Sequence, residues 1–165
     1  MTLDLDHLRP TDYWQTPPEL LEKIVGFLGP NDWVDPCPSD PSIDGLRMVW
    51  GRTCYINPPF SQYLKWAEYG KDQFDRLLHD RPSGARKQEF IWMCNHDHST
   101  KWFKLLMQKA NAICMLGQRV RFINPATGQP GRSPAWPNTL IYWGDDYDGL
   151  RGGFRDTFKD IGIVR

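Results

Sequence analysis

The chain has 165 residues with Lys+Arg and Asp+Glu at 20 each, so no net charge marks it as a bulk binder of polyanions. That length suits a single domain, 1–165, and leaves little room for a separate target-reading domain. No run approaches a membrane span, and the opening MTLDLDHLRP lacks the apolar stretch of a secretion signal. The expectation is a soluble, cytoplasmic protein. Its four cysteines, Cys37, Cys54, Cys94 and Cys114, form no C-x-x-C pair and read as buried free thiols.

The first element is a helix over 17–28. Thr16 stands at the cap position, Pro17 suits the first turn, and Glu19 completes a T-x-x-E capping box. Leu20, Leu21, Ile24, Val25, Phe27 and Leu28 fall on one face, and Gly29-Pro30 ends it. Residues 33–34 read as a short strand that runs into Asp35-Pro36-Cys37-Pro38-Ser39-Asp40-Pro41, where prolines forbid regular structure. A short segment at 48–50 precedes a strand at 53–56, stopped by Asn57-Pro58-Pro59. A helix follows over 62–79, then a buried strand at 90–94 and a helix from a Ser99 cap to about residue 109. Strands at 112–116, 120–123 and 140–143 close the series, with a Pro/Gly-rich loop at 124–138. Strands alternating with helices predict an α/β sheet that offers ligand sites at its strand carboxyl ends. Asp35, Asn57 and 95–98 all stand at such ends.

Asn57-Pro58-Pro59-Phe60 carries the chemistry. An amino group on an aromatic ring delocalises its lone pair and is a poor nucleophile. The Asn57 side-chain oxygen and the Pro58 carbonyl are two acceptors that can hold its two hydrogens and draw the nitrogen towards tetrahedral geometry. Prolines fix φ, so the acceptors are held without loop entropy. Phe60 offers a flat apolar face for an extruded base, and such stacking is worth roughly 1–3 kcal/mol. N-P-P is also a common turn, and Asn124-Pro125 repeats its first half. The preceding strand, the following aromatic and the acidic loop one strand earlier favour the first site.

Several stretches follow one another in order: Asp12-Tyr13-Trp14-Gln15-Thr16-Pro17, Asp35-Pro36-Cys37, Asp44-Gly45-Leu46, Trp50, Ile56-Asn57-Pro58-Pro59-Phe60-Ser61, Ser99-Thr100-Lys101-Trp102-Phe103 and Gly117-Gln118-Arg119-Val120-Arg121-Phe122. The series resembles the phage-type DNA N6-adenine methyltransferases (Dam-like) over roughly 12–145. The resemblance implies a compact, Rossmann-like class I methyltransferase fold with a reduced sheet. It also implies S-adenosylmethionine as methyl donor and a flipped adenine in DNA as acceptor. Asp35, Pro36 and Cys37 would then face the amino-acid end of the cofactor, with Trp14, Thr16 and Pro17 beside it. Asn57, Pro58, Pro59 and Phe60 would surround the target amine. Only 22 positions separate Asp35 from Asn57, where a full methyltransferase sheet holds two further strands. Asp44 is the candidate for the ribose hydroxyls, against an ordinary solvated loop carboxylate. Short or relaxed sequence specificity is expected.

Basic and histidine residues supply the candidate DNA contacts: His96, His98, Lys101, Arg119, Arg121 and Arg132, with Arg151 and Arg155 nearer the end. An ordinary solvated face is the competing reading of these charges. Cys94-Asn95-His96-Asp97-His98 lacks metal-ligand spacing, so no metal site is expected. Two other functions stand beside the main one. One is an inactive methyltransferase-like module that binds DNA or protein, as in anti-restriction. The other is a methyltransferase for RNA or for a protein amide nitrogen. A place in phage restriction-modification fits the main reading.

Overall fold

A computed structural model describes residues 10–84, 87–144 and 149–165, without the side chains of 10, 11 and 149–152. The opening stretch 1–9 and the side chain of Arg151 therefore lie outside the described residues. Four α-helices and five strands are described: α1 (Pro18–Leu28), β1 (Thr53–Ile56), α2 (Tyr63–His79), β2 (Glu89–Asn95), α3 (Lys101–Met107), β3 (Ala112–Leu116), β4 (Asn138–Gly144), α4 (Gly149–Phe158) and β5 (Gly162–Val164). Short 3-10 turns stand at Pro10–Tyr13 and Phe60–Gln62. No helix among the described residues is long and apolar enough to cross a membrane.

The strands form one mixed sheet in the order β1-β2-β4-β3-β5. β1 and β2 are parallel, with Tyr55 opposite Ile91, and α2 makes the crossover between them. β4 runs antiparallel between β2 and β3, and β5 runs antiparallel along β3. Val34 adds a single parallel bridge to Cys54 on the outer side of β1. The α/β class is as expected, but the sheet is mixed, with three of its four strand pairings antiparallel. Between Asp35 and Asn57 the described residues hold only turns and β1.

Strand alternation splits the core into two layers. Cys54, Ile56, Phe90, Trp92 and Trp143 face α2 and α3, where Trp66, Phe74, Leu77, Phe103 and Leu106 cover them. Tyr55, Ile91, Met93, Leu140 and Tyr142 face the opposite way, beneath Ile24 and Leu28 of α1 and Phe154 and Phe158 of α4. The large aromatic content is spent here: Trp50, Trp92 and Trp143 are each no more than 1% exposed. Gly70 is where α2 approaches this layer, and a Cβ there would overlap the Trp92 indole and crowd Trp50. Gly70→Ala is expected to destabilise the fold by about 1–3 kcal/mol through overpacking, read as a lower unfolding midpoint in urea.

Several local expectations need correction. Thr16 does not cap α1: Pro17 is the cap residue, no side chain caps the helix, and the Thr16 hydroxyl bonds Tyr55 instead. The T-x-x-E box therefore does not form, because its first oxygen is used in the tertiary structure. Thr100, not Ser99, caps α3, accepting from the Phe103 N–H at 3.3 Å. The Ser99 hydroxyl donates to Asp97. α3 ends at Met107 rather than 109. The strand expected at 120–123 shrinks to bridges at Ile123, since the Val120 N–H is taken by the Asn138 side chain. Residues 33–34 likewise make only the Val34 bridge. α4 and β5 were not anticipated.

Candidate active site

Val34, β1 and β2 run side by side in one direction, so Asp35, Asn57 and Asn95 leave the sheet at the same edge. Antiparallel β4 starts there, placing Asn138 opposite Asn95 and Thr139 opposite Cys94. Open α/β sheets bind ligands at such an edge.

Asn57 sits at its centre. Its amide nitrogen lies 3.5 Å from the Trp14 carbonyl and 3.5 Å from the Thr16 hydroxyl oxygen. The Thr16 hydroxyl pairs in turn with that of Tyr55 at 2.5 Å. The Asn57 carbonyl oxygen is buried and has no hydrogen-bond partner among the described residues. An orphaned buried acceptor costs free energy unless a ligand satisfies it. Pro58 and Pro59 are buried and Phe60 half-buried. The Phe60 ring is held edge-on by Tyr63 at 5.8 Å and Phe122 at 5.4 Å, so its orientation is fixed from both core layers. Asp12 anchors the end of this turn, accepting from the Ser61 hydroxyl at 2.7 Å and the Ser61 N–H at 3.3 Å.

The Trp14-Gln15-Thr16 segment is pinned by main-chain bonds in both directions between Gln15 and Ile123, at 2.9 and 2.8 Å. The Gln15 side chain also donates to Ser39 at 2.8 Å, tying this segment to the loop after Asp35. The Trp14 ring lies against Gly131, where a Cβ would overlap it. Pro17 is turned elsewhere. With Arg119 and Arg121 it lines a groove of about 1070 Å³ that also carries Lys23 and Lys159.

Asp35 is half-buried, and its carboxylate accepts the Cys37 N–H at 2.8 Å. Burial pushes its pKa up to about 6, and the Cys37 N–H only partly offsets this. No ion pair to Asp35 is found among the described residues. The Cys37 thiol is held well above its usual range by burial and by the Asp35 charge, and the Asn57 backbone faces it. The Asp35-Pro36-Cys37 turn therefore abuts Asn57. Asp44 is committed to its own loop, accepting the Leu46 N–H at 3.1 Å and pairing with Arg47 at 3.2 Å. It borders a cavity of about 50 Å³ with Pro36, Cys37, Pro59 and Trp66. The Trp66 indole N–H is another buried group with no partner among the described residues.

Of the candidate DNA contacts, His96 is half-buried, pairs with the Thr139 hydroxyl at 2.7 Å and packs on Phe103. His98 and Lys101 are exposed beside it. Arg119 and Arg121 are exposed and tie down the 124–138 loop, donating to the Pro134 and Gly131 carbonyls at 3.0 Å each. Arg132 and Arg155 are exposed. No group of three His, Cys, Asp or Glu able to hold a metal occurs among the described residues.

Three residues at this edge escaped the sequence reading. Asp12 heads its own motif but gives no sign of reaching Ser61. Tyr55 passes for a core strand residue, although it shares strand parity with Asn57. Asn138 bridges Asn95 at 3.3 Å and the Val120 N–H at 3.0 Å, and no local pattern announces it.

Residues 7–148 match the family model described as DNA N-6-adenine-methyltransferase (Dam). The DNA N-6-adenine-methyltransferase of Haemophilus phage HP1 is 30% identical over 103 residues, covering 61% of this chain and 54% of that protein. The chain thus spans about half the length of that curated relative. With the family match covering most of its length, the chain belongs to the DNA N-6-adenine-methyltransferase (Dam) family.

Proposed function

We propose that this protein methylates the exocyclic amino group of adenine in DNA, using S-adenosylmethionine and a reduced, Rossmann-like sheet. The observation that carries the reading is the buried Asn57 side-chain oxygen at the carboxyl edge of β1, which has no partner among the described residues. Asn57 and the Pro58 carbonyl accept the two amino hydrogens, which localises the nitrogen lone pair. Phe60, held by Tyr63 and Phe122, is the apolar ring on which the extruded base would stack. Pro58 and Pro59 keep this arrangement rigid, so the rate comes from positioning.

The residues present suit the cofactor. The half-buried Asp35 carboxylate has no cation beside it among the described residues, which is the environment an ammonium group satisfies. Asp44 borders the neighbouring cavity and, beyond the bonds to its own loop, has lone pairs left for the hydroxyls of a nucleoside. S-adenosylmethionine, when bound, supplies an electrophilic methyl group on a sulfonium. Asp35 would anchor and orient its amino-acid end, with Pro36, Cys37 and Trp14 closing that side.

His98, Lys101, Arg119, Arg121 and Arg132 are exposed on loops and ends that flank the edge, and serve to contact phosphate. The phage origin of the curated relative supports action on DNA in the cytoplasm of the host cell. Neutralising one phosphate contact, as in Lys101→Ala or Arg132→Ala, is expected to reduce the salt slope of DNA binding by about 1. The direct test is transfer of labelled methyl from S-adenosylmethionine to unmethylated duplex DNA, with RNA and protein as competing acceptors. Label in DNA alone supports the reading. Label confined to RNA or protein transfers the activity to another amine, and no label with no cofactor binding leaves a non-catalytic module.

A further inference from the structure

The orientation of the Asn57 amide is not left to chance, and the residues that set it lie outside the N-P-P-F motif. Trp14 presents a carbonyl, which can only accept. If the Asn57 oxygen were turned towards it, two acceptors would face each other, so the amide nitrogen must point that way. The second hydrogen of that nitrogen points to the Thr16 hydroxyl oxygen. Thr16 is itself buried, at 7% exposed, and its hydroxyl is tied to Tyr55, at 2% exposed. Whichever of the two hydroxyls donates to the other, the Thr16 oxygen keeps a lone pair for the amide. Tyr55 and Asn57 stand two residues apart on one strand and its continuation, so both side chains reach the same side and meet Thr16.

We propose that the Trp14 carbonyl, Thr16 and Tyr55 form a hydrogen-bond relay that locks the Asn57 amide, leaving its oxygen turned to the target amine. Thr16 and Tyr55 are thus positioning residues, and the inference rests on the reading of Asn57 as the acceptor for that amine. Thr16, expected beside the cofactor, acts here through Asn57. The two 3.5 Å bonds are long, as catalytic hydrogen bonds often are before substrate tightens them. The Gln15–Ile123 pairing holds the Trp14 carbonyl and the Thr16 side chain on either side of one fixed residue, which keeps the relay in register.

The test compares wild type with Thr16→Val, Thr16→Ser and the double variant Thr16→Val/Tyr55→Phe. The double variant leaves no orphaned hydroxyl, which protects folding. Steady-state methylation of duplex DNA gives kcat and KM, and calorimetry gives S-adenosylmethionine affinity. Loss of the relay is expected to lower kcat by about 10²-fold in Thr16→Val and in the double variant, with KM and cofactor affinity near wild type. Thr16→Ser keeps the hydroxyl and should restore kcat. Wild-type kcat in the double variant would overturn the relay while leaving the proposed function intact. Parallel loss of cofactor affinity, with no rescue by Ser, would overturn it in favour of direct cofactor contact. A wild-type protein that methylates no adenine would remove the proposed function and the relay together.

Discussion

Replacing Asn57 by Ala is expected to lower kcat for methyl transfer by about 10²–10³-fold, the usual cost of deleting one preorganised polar group at a reacting centre. The Asn57 oxygen has no structural partner to lose among the described residues, and its nitrogen makes only two contacts of 3.5 Å. The strand before it and the buried prolines after it do not depend on its side chain. Thermal midpoint and S-adenosylmethionine affinity should therefore stay close to wild type while turnover collapses. A variant within tenfold of wild-type kcat would remove Asn57 from the transition state and leave N-P-P-F as a turn.

Asp35→Asn is expected to move stability and binding in opposite directions. The Asp35 pKa is raised by burial to about 6 in the folded protein, against 3.8 for the free group. The folded state therefore binds the proton more tightly than the unfolded chain does. Above pH 6 the carboxylate is ionised in both states, and its burial costs the fold up to about 3 kcal/mol. As pH falls from 6 towards 4 the cost disappears, because the group becomes neutral in the folded state. Asn retains the oxygen that accepts the Cys37 N–H and carries no charge. Asp35→Asn should thus raise the unfolding midpoint of the cofactor-free protein at pH 7–8 by roughly 4–10 °C. That gap should close as pH falls through 6 to 4. Cofactor affinity should drop about 10–100-fold with the loss of the charged partner. A destabilised Asn variant, or one that binds S-adenosylmethionine like wild type, would contradict the role assigned to Asp35. Stability held down at a binding site is a common consequence of building that site.

The sequence displays best what depends on local period and punctuation. α2 was legible because Trp66, Ala67, Phe74 and Leu77 recur at helical spacing, and β1 because four apolar-leaning residues end abruptly at Asn57-Pro58. Asp35 and Asn57 were legible as a pair because each follows a strand, and the structure brings them to one edge. The Thr16 error has the opposite cause. A hydroxyl before Pro17 and three residues before Glu19 reads as a local cap, yet Tyr55, 39 positions away, takes it. Val120 misled in the same way, because its N–H is claimed by Asn138 rather than by a strand. The antiparallel entry of β4 between β2 and β3 is a tertiary choice that no local signal records. Asp12 and Tyr55 join the site through contacts 49 and 39 positions apart, out of reach of any motif.

The most direct measurement is nucleoside mass spectrometry of unmethylated duplex DNA after incubation with the protein and labelled S-adenosylmethionine, wild type beside Asn57→Ala. The account predicts labelled N6-methyladenine with wild type and almost none with the variant. Label on cytosine, or N6-methyladenine formed equally well without the Asn57 side chain, would contradict it.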